Sequence, residues 1–236
     1  MSFISSGAQQ AAAFSPYLPA LRRFARAMTG SQPDGDAMAL AIADPQSGGS
    51  SDVIHLFRRL VCTLPDPVSV QQALLLRVVE GFTQAQIAEI MEVTQFEVAD
   101  LIMAAQAKMQ EQPRASVLIV DGGRGGEFDL QDAITGIGLD VAGLAGSAGQ
   151  ATSLIRRLQP AAILVTLPPP EAEAIEMILC AAGGIPAVFM APDPARLLTG
   201  KGKEPVFVIP APCREEAVQV VISQALALGA QAAFTP

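Results

Sequence analysis

The sequence predicts a multidomain chain, all-helical in front and α/β behind, the rear half built on a doubly wound, five-stranded parallel sheet. Three observations predict it. Apolar residues recur at the helical period of 3.6 as far as Met109. After a short linker, Glu111-Gln112-Pro113-Arg114, the pattern changes to brief, continuous apolar runs alternating with helical stretches, as in buried parallel strands with covering helices. Half of the 236 residues are apolar, so each half can bury a core.

Residues 1 to 14 read as a loose lead-in. Ser15-Pro16 then looks like a helix start. Leu18, Leu21, Phe24, Ala25 and Met28 form one stripe of that helix. Arg22, Arg23 and Arg26 fall on its other faces, the ordinary place for a solvated charge cluster. Gly30 stops it. Asp34 or Asp36 is the expected cap of a short Ala-rich helix, Ala37 to Ala43. Pro45 to Ser51 is a loop. Asp52 to Cys62 is a third helix, with Ile54, Phe57, Leu60 and Val61 inward. Leu64-Pro65-Asp66-Pro67 breaks the chain, and Val68 to Val79 is a fourth helix.

A helix-turn-helix follows. Gly81 is a left-handed stop, and Thr83 can cap the next helix through its hydroxyl. Ile87, Ala88, Ile90 and Met91 give that helix its apolar face. After a turn at Val93-Thr94 comes a longer helix, with Phe96, Val98, Leu101, Ile102 and Ala105 expected inside. A DNA-reading helix needs basic or amide side chains for phosphates and base edges. Residues 95 to 107 hold no Lys or Arg, and they carry Glu97 and Asp100. From Asp66 to Gln112 there are seven acids and two bases, Arg77 and Lys108. Such a segment repels a polyanion, so the expected partner is a protein. A DNA-binding transcriptional regulator is the alternative reading of the same motif.

In the rear half, Ser116 to Val120 is a buried strand. Gly122 to Gly126 is a loop, and Phe128 to Ile137 a helix. Val141 to Leu144 is a second strand and Ala148 to Leu158 a helix. Ala161 to Leu167 is a third strand and Glu171 to Ala182 a helix. Ala187 to Met190 is a fourth strand, with a short helix from Pro194 to Leu198. Val206 to Ile209 is a fifth strand, and Glu215 to Leu228 the last helix. This alternation predicts flavodoxin-like strand order.

The net charge of −8 argues against general nucleic-acid or anionic-membrane binding. No apolar run is long enough to cross a bilayer, and no signal peptide precedes the helices. A cytoplasmic location is expected. Cys62, Cys180 and Cys213 show no C-x-x-C spacing and read as small buried hydrophobes in a reducing compartment. His55 is the only histidine, a poor metal candidate without a second and a reason to expect no nucleophile–base pair. The glycines at 122 to 126, with Arg124, lack G-x-G-x-x-G spacing and a P-loop Lys, so shortening of the loop is preferred to an anion site. Leu167-Pro168-Pro169-Pro170 reads as a stiffened loop. No metal, cofactor or enzymatic activity is expected.

Five stretches, read together, carry a family resemblance: Leu18 to Gly30 (LPALRRFARAMTG), Gln72 to Leu76 (QALLL), Glu80-Gly81-Phe82, Ala195 to Gly200 (ARLLTG) and Ile222 to Leu226 (ISQAL). From about Pro16 to Leu228 the chain resembles the PhyR-type response regulators of the alphaproteobacterial general stress response. The resemblance implies a domain like a sigma factor of the extracytoplasmic-function type, followed by a receiver domain. Residues 1–64 would be like sigma region 2, residues 65–112 like region 4, and 115–236 the receiver. It further implies sigma-factor mimicry: an anti-anti-sigma regulator that binds a NepR-type anti-sigma protein and so frees the true sigma factor. A histidine kinase or another signalling protein is implied as a second partner. By analogy the anti-sigma protein would touch Arg22, Arg23 and Arg26 in one helical subdomain and Gln95, Phe96, Ala99 and Met103 in the other.

The receiver departs from its family's pattern. Such a domain needs an acidic pair for Mg²⁺, a phospho-accepting Asp, a hydroxyl and a Lys. Laid on this chain, the pattern gives Asp121 then Gly122 for the pair, Thr166 for the acceptor, Ala191 for the hydroxyl and Ala211 for the Lys. Four of these five positions lack the needed chemistry. The expectation is a degenerate receiver whose partner binding does not depend on Asp phosphorylation. The loss leaves two resting states open, one constitutively exposed and one locked closed.

Overall fold

The structure, a computed structural model, describes residues 16–44, 52–66, 68–111, 113–122, 128–166, 172–199 and 202–233. Six helices build the front half: α1 (Leu18–Thr29), α2 (Gln32–Ala43), α3 (Val53–Cys62), α4 (Val70–Val78), α5 (Gln84–Met91) and α6 (Gln95–Gln110). Their starts follow local chemistry. Ser69, Thr83 and Thr94 each close a capping box with a Gln or Glu three residues on. Gly30 (φ 68°) and Gly81 (φ 77°) take the left-handed turn at the ends of α1 and α4.

The Asp34/Asp36 cap is corrected. Ser31 caps α2, its hydroxyl accepting from the Asp34 N–H at 3.3 Å, and the helix begins at Gln32. Asp36 is thereby freed for another task. Gly35 lies against α1 so closely that a Cβ there would sit 2.6 Å from the Arg26 backbone nitrogen. An edge-to-face chain of rings joins the helices: Phe24 to Phe57 at 5.6 Å and Phe57 to Phe82 at 5.0 Å between centroids.

The rear half holds β1 (Ser116–Asp121), α7 (Leu130–Thr135), β2 (Asp140–Ala145), α8 (Ala148–Leu158), β3 (Ala162–Thr166), α9 (Ala172–Ala182), β4 (Ala187–Ala191), a 3₁₀ turn (Pro194–Leu197), β5 (Phe207–Pro210) and α10 (Glu215–Ala233). All pairings are parallel, in the order β2-β1-β3-β4-β5. Alternate residues divide between two cores. Leu118, Val120, Ile163, Val165, Phe189 and Val208 face α8 and α9. Val117, Ile119, Leu164, Val188 and Ile209 face α7 and α10 in a cluster that runs on into the front half without a break. One of the two cores therefore runs through both halves.

Candidate functional site

Because all strands run parallel, Asp121, Gly122, Thr166, Ala191 and Ala211 fall together at or just past the strands' C-terminal ends. Asp121 pairs with Thr166 in register, Ala191 pairs with Pro210, and the Ala211 N–H donates to the Ala191 carbonyl at 2.8 Å. The Thr166 hydroxyl donates to Asp121 Oδ1 at 3.0 Å, so a neutral side chain occupies the strand end beside the one carboxylate. Among the described residues no cluster of three or more His, Cys, Asp or Glu is placed to hold a metal. Residues 123–127 and 167–171, which include most of the glycine loop and the proline run, lie outside the described residues.

The arginine cluster is not a solvated face. Arg26 is 0% exposed and Arg22 9%. Arg26 makes a bidentate pair with Asp36, both contacts at 2.7 Å, and its Nη2 also donates to Glu204 Oε2 at 2.8 Å. Its Nη1 donates to the Pro205 carbonyl at 3.0 Å. Arg22 Nη1 donates to the Leu198 carbonyl at 2.7 Å, and its Nε lies 3.7 Å from Asp36. Arg23 turns the other way and pairs with Glu80, Nε to Oε1 at 2.9 Å, tying α1 to the end of α4. The correction has a plain cause: the rear half docks on the polar side of α1 and brings Glu204 to it.

Amide side chains complete that seam. Gln32 Nε2 donates to the Gly202 carbonyl at 2.9 Å, and the Glu204 N–H donates back to Gln32 Oε1 at 3.0 Å. Gln224 Nε2 donates to the Ala27 carbonyl at 3.1 Å. Sequence reasoning missed Asp36, Gln32, Glu204 and Gln224. No periodic signal marks Glu204, which meets Arg26 across a separation of 178 residues.

Helix α6 shows the reverse inversion. Phe96, expected inside, is 84% exposed, and Met103 is 60% exposed. Buried Val98 lies two positions after Phe96, which is about 200° around a helix of 3.6 residues per turn. Val98 and Ala105 hold the inner face, with Leu101 and Ile102 half-buried. Gln95, Phe96 and Met103 are exposed and Ala99 is half-buried, so the four lie along one outward side. Glu97 belongs to the cap: its carboxylate accepts from the Thr94 N–H at 2.7 Å and hydroxyl at 2.8 Å. Those bonds hold its carboxyl below the ordinary Glu range. The thiols are corrected too: Cys62 and Cys180 are exposed and Cys213 is half-buried.

Family models match two stretches of the front half: the sigma-like domain of the response regulator PhyR at residues 69–112, and the sigma2 domain of PhyR at 14–45. The response regulator PhyR from Brucella abortus is 32% identical, with a TM-score of 0.80 over 94% of this chain and 96% of that one. The chain belongs to the PhyR family. The anti-anti-sigma factor PhyR from Bartonella quintana is 30% identical, with a TM-score of 0.80 over 94% of this chain and 98% of that one. The phyllosphere-induced regulator PhyR of Methylorubrum extorquens is 29% identical over 89% of this chain and 91% of its own length. Among the described residues no helix is long and apolar enough to cross a membrane.

Proposed function

We propose that this PhyR-family chain is an anti-anti-sigma regulator which captures a NepR-type anti-sigma protein on α6, without phosphorylation of its receiver. The observation that carries the reading is the outer side of α6. A helix built to read DNA presents cations, whereas this one presents Phe96 at 84% exposure and Met103 at 60%. Exposed aromatic and Met side chains are typical anchors for a protein partner. The Bartonella quintana relative is an anti-anti-sigma factor, and its complex with the anti-sigma factor NepR is known. Residues 1–64 and 65–112 act as the two sigma-like subdomains. The chain is a binding protein and not an enzyme, in line with the regulators it resembles.

The rear half acts as a pseudo-receiver. A carboxylate nucleophile, a second metal acid, a hydroxyl and a lysine have been replaced by Thr166, Gly122, Ala191 and Ala211. Asp121 is left with the Thr166 hydroxyl against it. Restoring one group leaves three missing, so Thr166→Asp alone stays unphosphorylated. The Arg26–Asp36–Glu204 seam keeps the halves docked, yet the α6 stripe is exposed in that docked state.

The test has two arms. Purified protein is incubated with a small phosphodonor and Mg²⁺ and weighed intact; an added phosphoryl mass contradicts the pseudo-receiver. Untreated protein is then titrated with a NepR-type anti-sigma protein and, separately, with promoter DNA at moderate salt. A complex with the protein and none with DNA is expected; the opposite pattern favours the DNA-binding alternative.

A further inference from the structure

The end of β5 borders a cleft that no receiver chemistry uses. Its volume is about 690 Å³, within the range of about 300–1,000 Å³ common for small-molecule sites. One wall comes from the front half, from Arg77 to Gln84, and the other from the rear half, from Ile209 to Ala217. Arg77 and Arg214 line it from opposite sides, and among the described residues neither guanidinium has an ion-pair or hydrogen-bond partner. The one acid in the lining, Glu216, is engaged by Gln106 Nε2 at 3.2 Å. In a chain of net charge −8, the cleft is locally positive. Val79, Phe82 and Pro212 add apolar surface to the lining.

We propose that this cleft binds a small organic anion, a carboxylate or phosphate ester with an apolar body, bridged by Arg77 from the front half and Arg214 from the rear. A guanidinium offers several donors in a fixed plane and suits either acidic group. The body of the ligand would lie on the apolar lining from Phe82 and Pro212. Since each half gives one arginine, the ligand favours the docked arrangement over a separated one. Binding at the cleft does not depend on the anti-sigma reading, so the two stand or fall separately.

Calorimetric titration of the full chain with phenyl phosphate, benzoate and inorganic phosphate tests this. Saturable 1:1 binding of both aromatic anions is expected. Arg77→Gln and Arg214→Gln should each weaken it roughly tenfold, the ordinary cost of one charge-assisted hydrogen bond. Both side chains are exposed, so both variants should fold, as circular dichroism would confirm. Arg157→Gln, an exposed arginine on α8, should leave binding unchanged. The proposal is overturned by absence of saturable binding of the aromatic anions, by inorganic phosphate binding as tightly as phenyl phosphate, by loss in only one of the two cleft variants, or by an equal loss in Arg157→Gln.

Discussion

Helix α1 hides two arginines, Arg26 at 0% exposure and Arg22 at 9%, whereas α6 leaves Phe96 84% and Met103 60% exposed. Each helix inverts the usual placement of charge and apolar surface. On α1 the inversion is resolved within the chain: Asp36 and Glu204 neutralise Arg26, and the Leu198 and Pro205 carbonyls each accept one hydrogen bond, from Arg22 and Arg26. On α6 none of the described residues covers the Phe96 ring. The contrast teaches that α1 is shaped for the rear half of its own molecule, while α6 leaves open the apolar surface on which the proposed partner would sit. It also separates two effects that mutation can measure independently, stability and recognition.

The largest effect is expected at α1. Arg26→Ala leaves Asp36 and Glu204 facing one another without their shared cation, a loss of about 3–5 kcal/mol typical of a broken buried pair. Chemical denaturation should show it, and scattering should show the halves less firmly docked; an unchanged midpoint would mean the seam is not energetically coupled. Gly35→Ala comes next. A Cβ at that position meets the α1 backbone at 2.6 and 2.7 Å, so the helices must part, at about 1–3 kcal/mol for overpacking.

At α6 the signs should reverse. Phe96→Ser is expected to move stability by no more than about 0.5 kcal/mol, as for an exposed side chain, while the anti-sigma protein is lost from a binding titration. A destabilised protein with intact partner binding would erase the contrast between the two helices.

The smallest expected effect is a pH dependence at the start of α6. The Thr94 bonds lower the folded-state pKa of Glu97. A lowered carboxyl pKa adds stability that is present above the ordinary Glu range and is lost as pH falls through the folded value. Amide protection in the first turn of α6, after allowance for the intrinsic pH dependence of exchange, should therefore fall on acidification in the wild type and be flatter in Glu97→Gln.

Local signals made most of the fold legible. The apolar run from Ser116 announced β1, Thr83 and Gly81 marked the helix-turn-helix, and α8 runs from Ala148 to Leu158 as its periodicity indicates. These features depend on neighbours within a few residues. The five receiver positions follow from the family pattern alone; the strand register sets Asp121 beside Thr166 and Ala191 beside Pro210. What the sequence hid was long-range or counter to type. Arg26 and Glu204 sit 178 residues apart, with no period linking them. Phe96 is expected inside together with Val98, but two positions along a helix turn it about 200° away, and it faces outward. Ser31 outcompeted the two aspartates as a cap since it stands one residue before the first helical turn, and Asp36 turned instead to Arg26.

The most direct test of a partner surface on α6 is a titration of the unmodified chain, with no phosphodonor present, against a NepR-type anti-sigma protein, run beside Phe96→Asp and Met103→Asp. A 1:1 complex with the wild type, abolished in both variants while their unfolding midpoints stay put, is the predicted result. Binding that appears only after phosphorylation, or that survives both substitutions, would contradict it.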